Sequence, residues 1–154
     1  MLDFKAISKV FSNFLDGKSE ISDLKSEDKL ACLIELNIET NWRQWHLEDS
    51  ARMMKLGPKH IANAKQKIDK NNQVRNDLIT AIDVEITKQT KVAPLGSQEK
   101  FYSESPGMIT DWLAILHIKL SVIRDLLALI KEADLIKEYK EKKVGEIKEK
   151  YFVS

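Results

Sequence analysis

Ionisable and amide side chains occupy positions where a helical bundle keeps its core. The run Asn37-Ile38-Glu39-Thr40-Asn41-Trp42-Arg43-Gln44-Trp45-His46-Leu47-Glu48-Asp49, closed by Arg52, is answered by Asp69, Asn71-Asn72-Gln73, Arg75-Asn76-Asp77 and Asp83. Charge taken out of water is costly unless it is paired, so such a cluster marks a site or a specificity network. The chemistry these types could do is proton transfer, cation binding or phosphate binding. His46 is the proton-transfer candidate, with Glu48 and Asp49 beside it as the rest of a catalytic set. Asn41, Asn72, Asn76 and Asp83 would hold a polar ligand, and Arg52 and Arg75 would neutralise its phosphate. A second stretch, Glu104-Ser105-Pro106-Gly107 through Asp111 to Lys119, sets Ser105 and backbone N–H groups at a helix start, which suits an anion. Asp111 and Lys119 then interrupt an apolar helix. The competing reading is ordinary capping plus a lysine whose charged end reaches solvent.

Residues three and four apart share a helical face. Asn37, Asn41, Trp45, Glu48 and Arg52 form one line that continues the apolar stripe of Leu30, Leu33 and Ile34. Asp69, Asn72, Asn76 and Asp83 share a face of the next helix, with Arg75 beside them. An antiparallel turn at Gly57-Pro58 would set Asn37–Asn41 opposite Asn76–Asp83, and His46–Arg52 opposite Ile61–Asn72. The two polar faces are therefore expected to meet.

Most known chemistries do not fit. A di-iron bundle needs two Glu-x-x-His pairs, and His46-x-x-Asp49 is the only comparable spacing. His46 and Glu48 point about 200° apart on a helix, so they cannot chelate as a block. No Gly-rich phosphate loop and no Gly-x-Ser-x-Gly elbow is present. Cys32 lies in an apolar stretch and reads as a small core residue. What stands is Mg²⁺ held by carboxylates of two helices, with Glu35, Glu39, Glu48, Asp49, Asp77 and Asp83 as candidate ligands. The paired Glu-x-x-Glu and Glu-x-x-Asp signature of helical nucleotide hydrolases is absent.

The elements that must position these residues are helices. Phe4, Ile7, Phe11 and Phe14 recur at helical spacing before Gly17, giving a short first helix over Leu2–Leu15 that packs on the bundle. Ser26 reads as an N-cap, with Glu27 and Asp28 in the first turn of a helix that runs to Met54. A third helix spans Lys59–Lys91, with Ile61, Ile68, Ile79, Ile82 and Ile86 marking its buried face. Each long helix spans roughly 40–50 Å at ~1.5 Å per residue, which suits an antiparallel hairpin. Ala93–Gly107 is an extended loop. Ser105-Pro106 opens a fourth helix, apolar almost all round from Ile109 to Ile130, which is expected to sit centrally. Beyond Lys131, Lys and Glu alternate around Leu135, Tyr139, Ile147 and Tyr151, as in a solvated outer helix.

The chain has 154 residues, with 25 Lys and Arg against 24 Asp and Glu, so no global field attracts nucleic acid or an anionic membrane. One cysteine excludes an intrachain disulfide. The apolar run near Ile109–Ile130 carries Asp111, His117, Lys119, Arg124 and Asp125 and is no membrane span. The reading is a single cytoplasmic domain over 1–154. Its fold class is all-α: an antiparallel bundle of four main helices with a short N-terminal and a charged C-terminal helix.

The combination of Trp45-His46-Leu47-Glu48-Asp49 with Arg52, Ile68-Asp69 through Asn72-Gln73, Arg75, Asp77 and Ile82-Asp83, and Ser105-Pro106-Gly107 through Asp111, Leu113, Ile115-Leu116 and Lys119 resembles a bacterial family of helical proteins known only as a domain of unknown function. The match covers about Asn37 to Lys119. Members of that family typically carry Arg after the aspartate, where this chain has Trp112. The resemblance implies a setting near glycosyltransferases of lipopolysaccharide and related glycan assembly. The leading expectation is an accessory protein of that setting that binds a small polar or phosphorylated ligand or a glycosyltransferase. The alternatives are a Mg²⁺-dependent hydrolase of nucleotide phosphoanhydrides and a bundle that forms a homodimer.

Overall fold

Every regular element of the computed structural model, which describes residues 4–18, 28–91 and 103–132, is helical. In chain order these are α1 (Phe4–Leu15), α2 (Lys29–Ala51), a short 3-10 turn (Met54–Leu56), α3 (Gly57–Thr90) and α4 (Pro106–Glu132). The all-α bundle expected from periodicity is what forms. No helix among the described residues is long and apolar enough to cross a membrane. The chain divides into two compact units, Met1–Ile118 and Lys119–Ser154. The site lies in the first.

Local chemistry explains the helix ends. α1 stops where Gly17 takes a positive φ of 67°, and Gly17 and Lys18 donate back to the carbonyls of Phe14 and Asn13 at 3.1 and 2.7 Å. This pair of bonds satisfies carbonyls that the helix end would strand. α2 is capped by Asp28, whose Oδ1 accepts from the N–H groups of Leu30 and Ala31 at 3.1 and 3.2 Å. Asp28 therefore stands at the cap rather than in the first turn, because its carboxylate reaches both stranded donors. Ser26, the expected cap, lies outside the described residues, as do most of the expected loop Ala93–Gly107 and the charged segment beyond Glu132.

α2 and α3 form the antiparallel hairpin. Near its turn, His60 Nε2 lies 3.0 Å from Ser50 Oγ and 3.1 Å from the Ser50 carbonyl. At its far end Lys29 Nζ lies 3.6 Å from Glu85 Oε2. Between them Asn71 donates to the Thr40 carbonyl at 3.0 Å and to Gln44 Oε1 at 2.8 Å. The core is Leu30, Ile34 and Ile38 of α2, Ala64 and Ile82 of α3, Phe11 of α1, and Ala114 and Ile118 of α4. Cys32 is buried with them. The Phe11 ring also meets His117, with centroids 5.1 Å apart.

One expectation is corrected. The sequence pattern places α4 centrally with its wide apolar face inward. In the first unit its inward edge is instead Gly107, Thr110, Asp111, Ala114 and Ile118, while Ile109, Trp112 and Leu116 are exposed. Two close contacts set this rotation. Asp111 must reach three donors, described below. Gly107 lies so close to α3 that an added Cβ would sit 2.4 Å from the Ile79 carbonyl oxygen and 3.1 Å from the Asp83 carboxylate. Only glycine permits that approach.

Gly107→Ala should therefore push α4 off α3 and lower stability by about 1–3 kcal/mol, the usual cost of overpacking. Urea denaturation of the two proteins checks this. An alanine protein as stable as the parent would refute the close approach.

Candidate functional site

Asp111 is 1% exposed, and its carboxylate is the centre of the site. α2 supplies Asn37 and Asn41, one helical turn apart, so that both amides point the same way. Asn37 Nδ2 donates to Asp111 Oδ1 at 3.0 Å, and Asn41 Nδ2 donates to the same oxygen at 2.8 Å. Asn41 also reaches back to the Asn37 carbonyl at 3.0 Å, which fixes its rotamer. α3 supplies Arg75. Its Nε donates to Oδ1 at 2.8 Å and to Oδ2 at 3.0 Å, and its Nη2 donates to Oδ2. Three helices thus meet on one carboxylate.

The electrostatics follow from this geometry. Burial opposes ionisation of Asp111, but the hydrogen bonds from Arg75, Asn41 and Asn37 and the Arg75 charge outweigh it, holding the carboxyl below its ordinary 3.8. The Arg75 guanidinium is raised, chiefly by its hydrogen bond to Asp111, against burial and with added attraction from Asp111 and Glu48. Its side chain is 25% exposed, so one edge of the pair faces the surface. Glu35, buried on α2, is shifted the other way: desolvation raises its carboxyl, and Glu39 adds to the effect.

Two further bonds lock the surroundings. Asp83 Oδ1 accepts from the Gly107 N–H at 2.7 Å, so an acid of α3 sits at the positive end of α4. Ser105 Oγ accepts from the Met108 N–H at 3.2 Å. That stretch works as a cap, with Pro106 in the first turn.

The structure thus brings together Asn41, Arg75 and Asp111, with Asp83 and Ser105 at the start of α4. Glu48 stays near enough to add attraction to Arg75, and the other expected residues are not gathered around them. His46, Glu48 and Asp49 are exposed on α2. His46 packs edge-on against Trp42, with ring centroids 4.8 Å apart, and Asp49 lies 3.5 Å from Arg52. Glu48 accepts from Gln44 at 3.2 Å. Asn72 is half-buried, Asn76 is exposed, and Lys119 is exposed in the second unit. No group of three or more His, Cys, Asp or Glu that could hold a metal occurs among the described residues. Glu35, Glu39, Glu48, Asp49, Asp77 and Asp83 do not converge.

The register of the hairpin explains the difference. Asn71 and Arg75, not Asn76–Asp83, meet the Asn37–Gln44 stretch, five to eight residues earlier than expected. Asn37, Thr40, Gln44, Asn71 and Gly107 lie in the polar stretches that the sequence singles out, but a reading of the sequence alone gave them no ligand-binding or catalytic role. For Asn71 and Arg75 a signal existed: Ala64, Ile68, Asn71, Arg75 and Ile82 recur at three, four and seven residues, which selects Asn71 over Asn72.

Residues 31–145 match the family model described as a protein of unknown function, DUF4254. The chain belongs to this family. The DUF4254 match takes in nearly all of α2 and the whole of α3 and α4, and so every helix that contributes to the Asp111 network. No curated protein and no solved structure matches the chain.

Asp111→Asn should cost about 3–5 kcal/mol, because it leaves the Arg75 charge without its counter-ion in a part-buried place. Replacing both residues with apolar ones of similar volume should cost less than that single change, as chemical denaturation of the single and double variants will show. The pH dependence has a defined sign. A carboxyl held below its unfolded value contributes stability that is present above that value and lost as pH falls through the folded one. The parent should lose this contribution below about pH 4, and Asp111→Asn should lack that part of the slope. Glu35 behaves oppositely. Its contribution is most favourable below its ordinary 4.5 and is lost as pH rises, so Glu35→Gln should gain stability at neutral pH and not at pH 3. Melting curves across pH test both slopes.

Proposed function

We propose that this domain binds a small amphiphilic ligand without turning it over. The ligand's apolar body would lie in a cleft of the Met1–Ile118 unit. The observation that carries this reading is the cleft itself, about 460 Å³, lined by Ile7 of α1, Leu30 and Ile34 of α2, Ile86, Gln89 and Thr90 of α3, and Thr110 of α4. A mainly apolar pocket of several hundred Å³ with a few polar groups is what small-molecule sites look like. The polar residues are compatible with this division of labour. Thr90 and Thr110 commit their hydroxyls to helix carbonyls at 2.8 Å, and their methyl groups are then left for the cleft. Gln89 is exposed at the end of α3 and would meet the ligand's polar head.

The polar seam is a poorer host. Both oxygens of Asp111 already accept internal hydrogen bonds, so a ligand there would have to displace them and strand buried donors. We propose a cytoplasmic setting and, as the family resemblance implies, one in bacterial surface-glycan assembly. Sugar or phosphate heads joined to apolar carriers are ligands of that setting, and they match a greasy cleft with a polar edge.

Thermal melting with decyl phosphate and octyl glucoside, below their micelle concentrations, tests the proposal. Ligand at about 100 times its Kd adds about 2.7 kcal/mol of stability, so the melting temperature should rise by several degrees. Phosphate or glucose alone should give no rise. Ile86→Trp, which fills the cleft, should abolish the shift. A shift produced equally by the heads alone would place the ligand elsewhere and overturn this reading.

A further inference from the structure

The described part of the Lys119–Ser154 unit is the second half of α4, and its surface is unusual. Leu120 is 63% exposed and Leu129 60%, and Ile123, Leu126 and Leu127 are exposed too. A soluble helix normally turns such residues to a core. Their spacing is also specific. Leu120, Ile123, Leu127 and Ile130 recur at three, four and three residues, the pattern of a seam between two paired helices. A groove of about 380 Å³ runs along this seam. Leu120, Ile123, Leu127 and Ala128 form its apolar lining, and Arg124 and Lys131 are its charged members.

The flanks of such a seam choose the partner. Here Lys119 precedes Leu120, while Arg124 follows Ile123 and Lys131 follows Ile130. Every charge at these flanking positions is basic. Asp125 lies 3.9 Å from Arg124 but does not line the groove. A second copy of this helix would set cation against cation in either orientation, which disfavours self-pairing. A lipid surface presents no ridge to fill a groove of heptad spacing. We propose that this groove docks an amphipathic helix of a partner protein, one with leucine-type residues at heptad spacing and Glu or Asp on either side of them. Apolar contact would supply the affinity, and Lys119, Arg124 and Lys131 would select the acidic partner. This site lies wholly outside the small-molecule cleft, so the two proposals stand or fall separately.

The test uses the full chain and two labelled synthetic peptides of three heptads. Both carry leucine at the seam; one has glutamate at the flanking positions, the other lysine. Fluorescence anisotropy should show the glutamate peptide binding at least about tenfold tighter, with the difference shrinking at high salt. Arg124→Glu combined with Lys131→Glu should reverse the preference, with circular dichroism checking that the helices are kept. Leu120→Asp should weaken both peptides. Equal binding of the two peptides, or a preference that survives the charge reversal, would overturn the proposal. So would concentration-dependent dimerisation in sedimentation, or binding to phosphatidylserine vesicles in place of the peptide.

Discussion

A buried carboxylate that must find three donors sets the architecture of this molecule. Asp111 stays ionised only because Asn37, Asn41 and Arg75 converge on it from two other helices. Any other rotation of α4 would leave an anion among apolar side chains and a guanidinium without its partner. Those alternatives are expensive, whereas the pair itself adds little net stability over a greasy replacement. Its contribution is uniqueness. The many near-equivalent ways of packing an apolar helix on a hairpin are reduced to one.

That selection has a visible cost in surface chemistry. With the Asp111 edge turned inward, Ile109, Trp112 and Leu116 of the same unit are left facing water. A helix chosen only for burial would present the opposite face. The exposed residues are thus a consequence of the polar contact and of the close approach at Gly107.

Much of this was legible in the residues. Periodicity gave the helices, Gly17 marked an end, and Asn37, Asn41, Arg75 and Asp111 stood out as polar groups on inward positions. The convergence was harder to see. Reading Asn72 and Asn76 in place of Asn71 is an error of one residue in helical phase, about 100° on the cylinder. Pairing Asn37–Asn41 with Asn76–Asp83 is an error of five to eight residues, since the turn falls before Gly57, where α3 already begins, and its length does not show in a pattern of types. The outward face of α4 was hidden for another reason. Hydrophobicity counts apolar surface but does not weigh one unpaired buried charge against several exposed leucines, and here the charge prevails. His46, Glu48 and Asp49 show the converse: their types suggest chemistry, yet they lie at positions that face solvent.

The sequence distances between partners bear on the order of assembly. Ser50 and His60 are 10 residues apart, and Thr40 and Asn71 are 31 apart, whereas Asn37 and Asn41 lie 74 and 70 residues from Asp111. Shorter loops close at lower entropic cost, which favours closing the hairpin of α2 and α3 from its turn before α4 docks. On that route Asn37, Asn41 and Arg75 are presented together as a ready-made receptor for a carboxylate. Arrival of α4 is then a docking event whose success is read by a single aspartate, and a chain that docks it wrongly has no deep trap in which to stay.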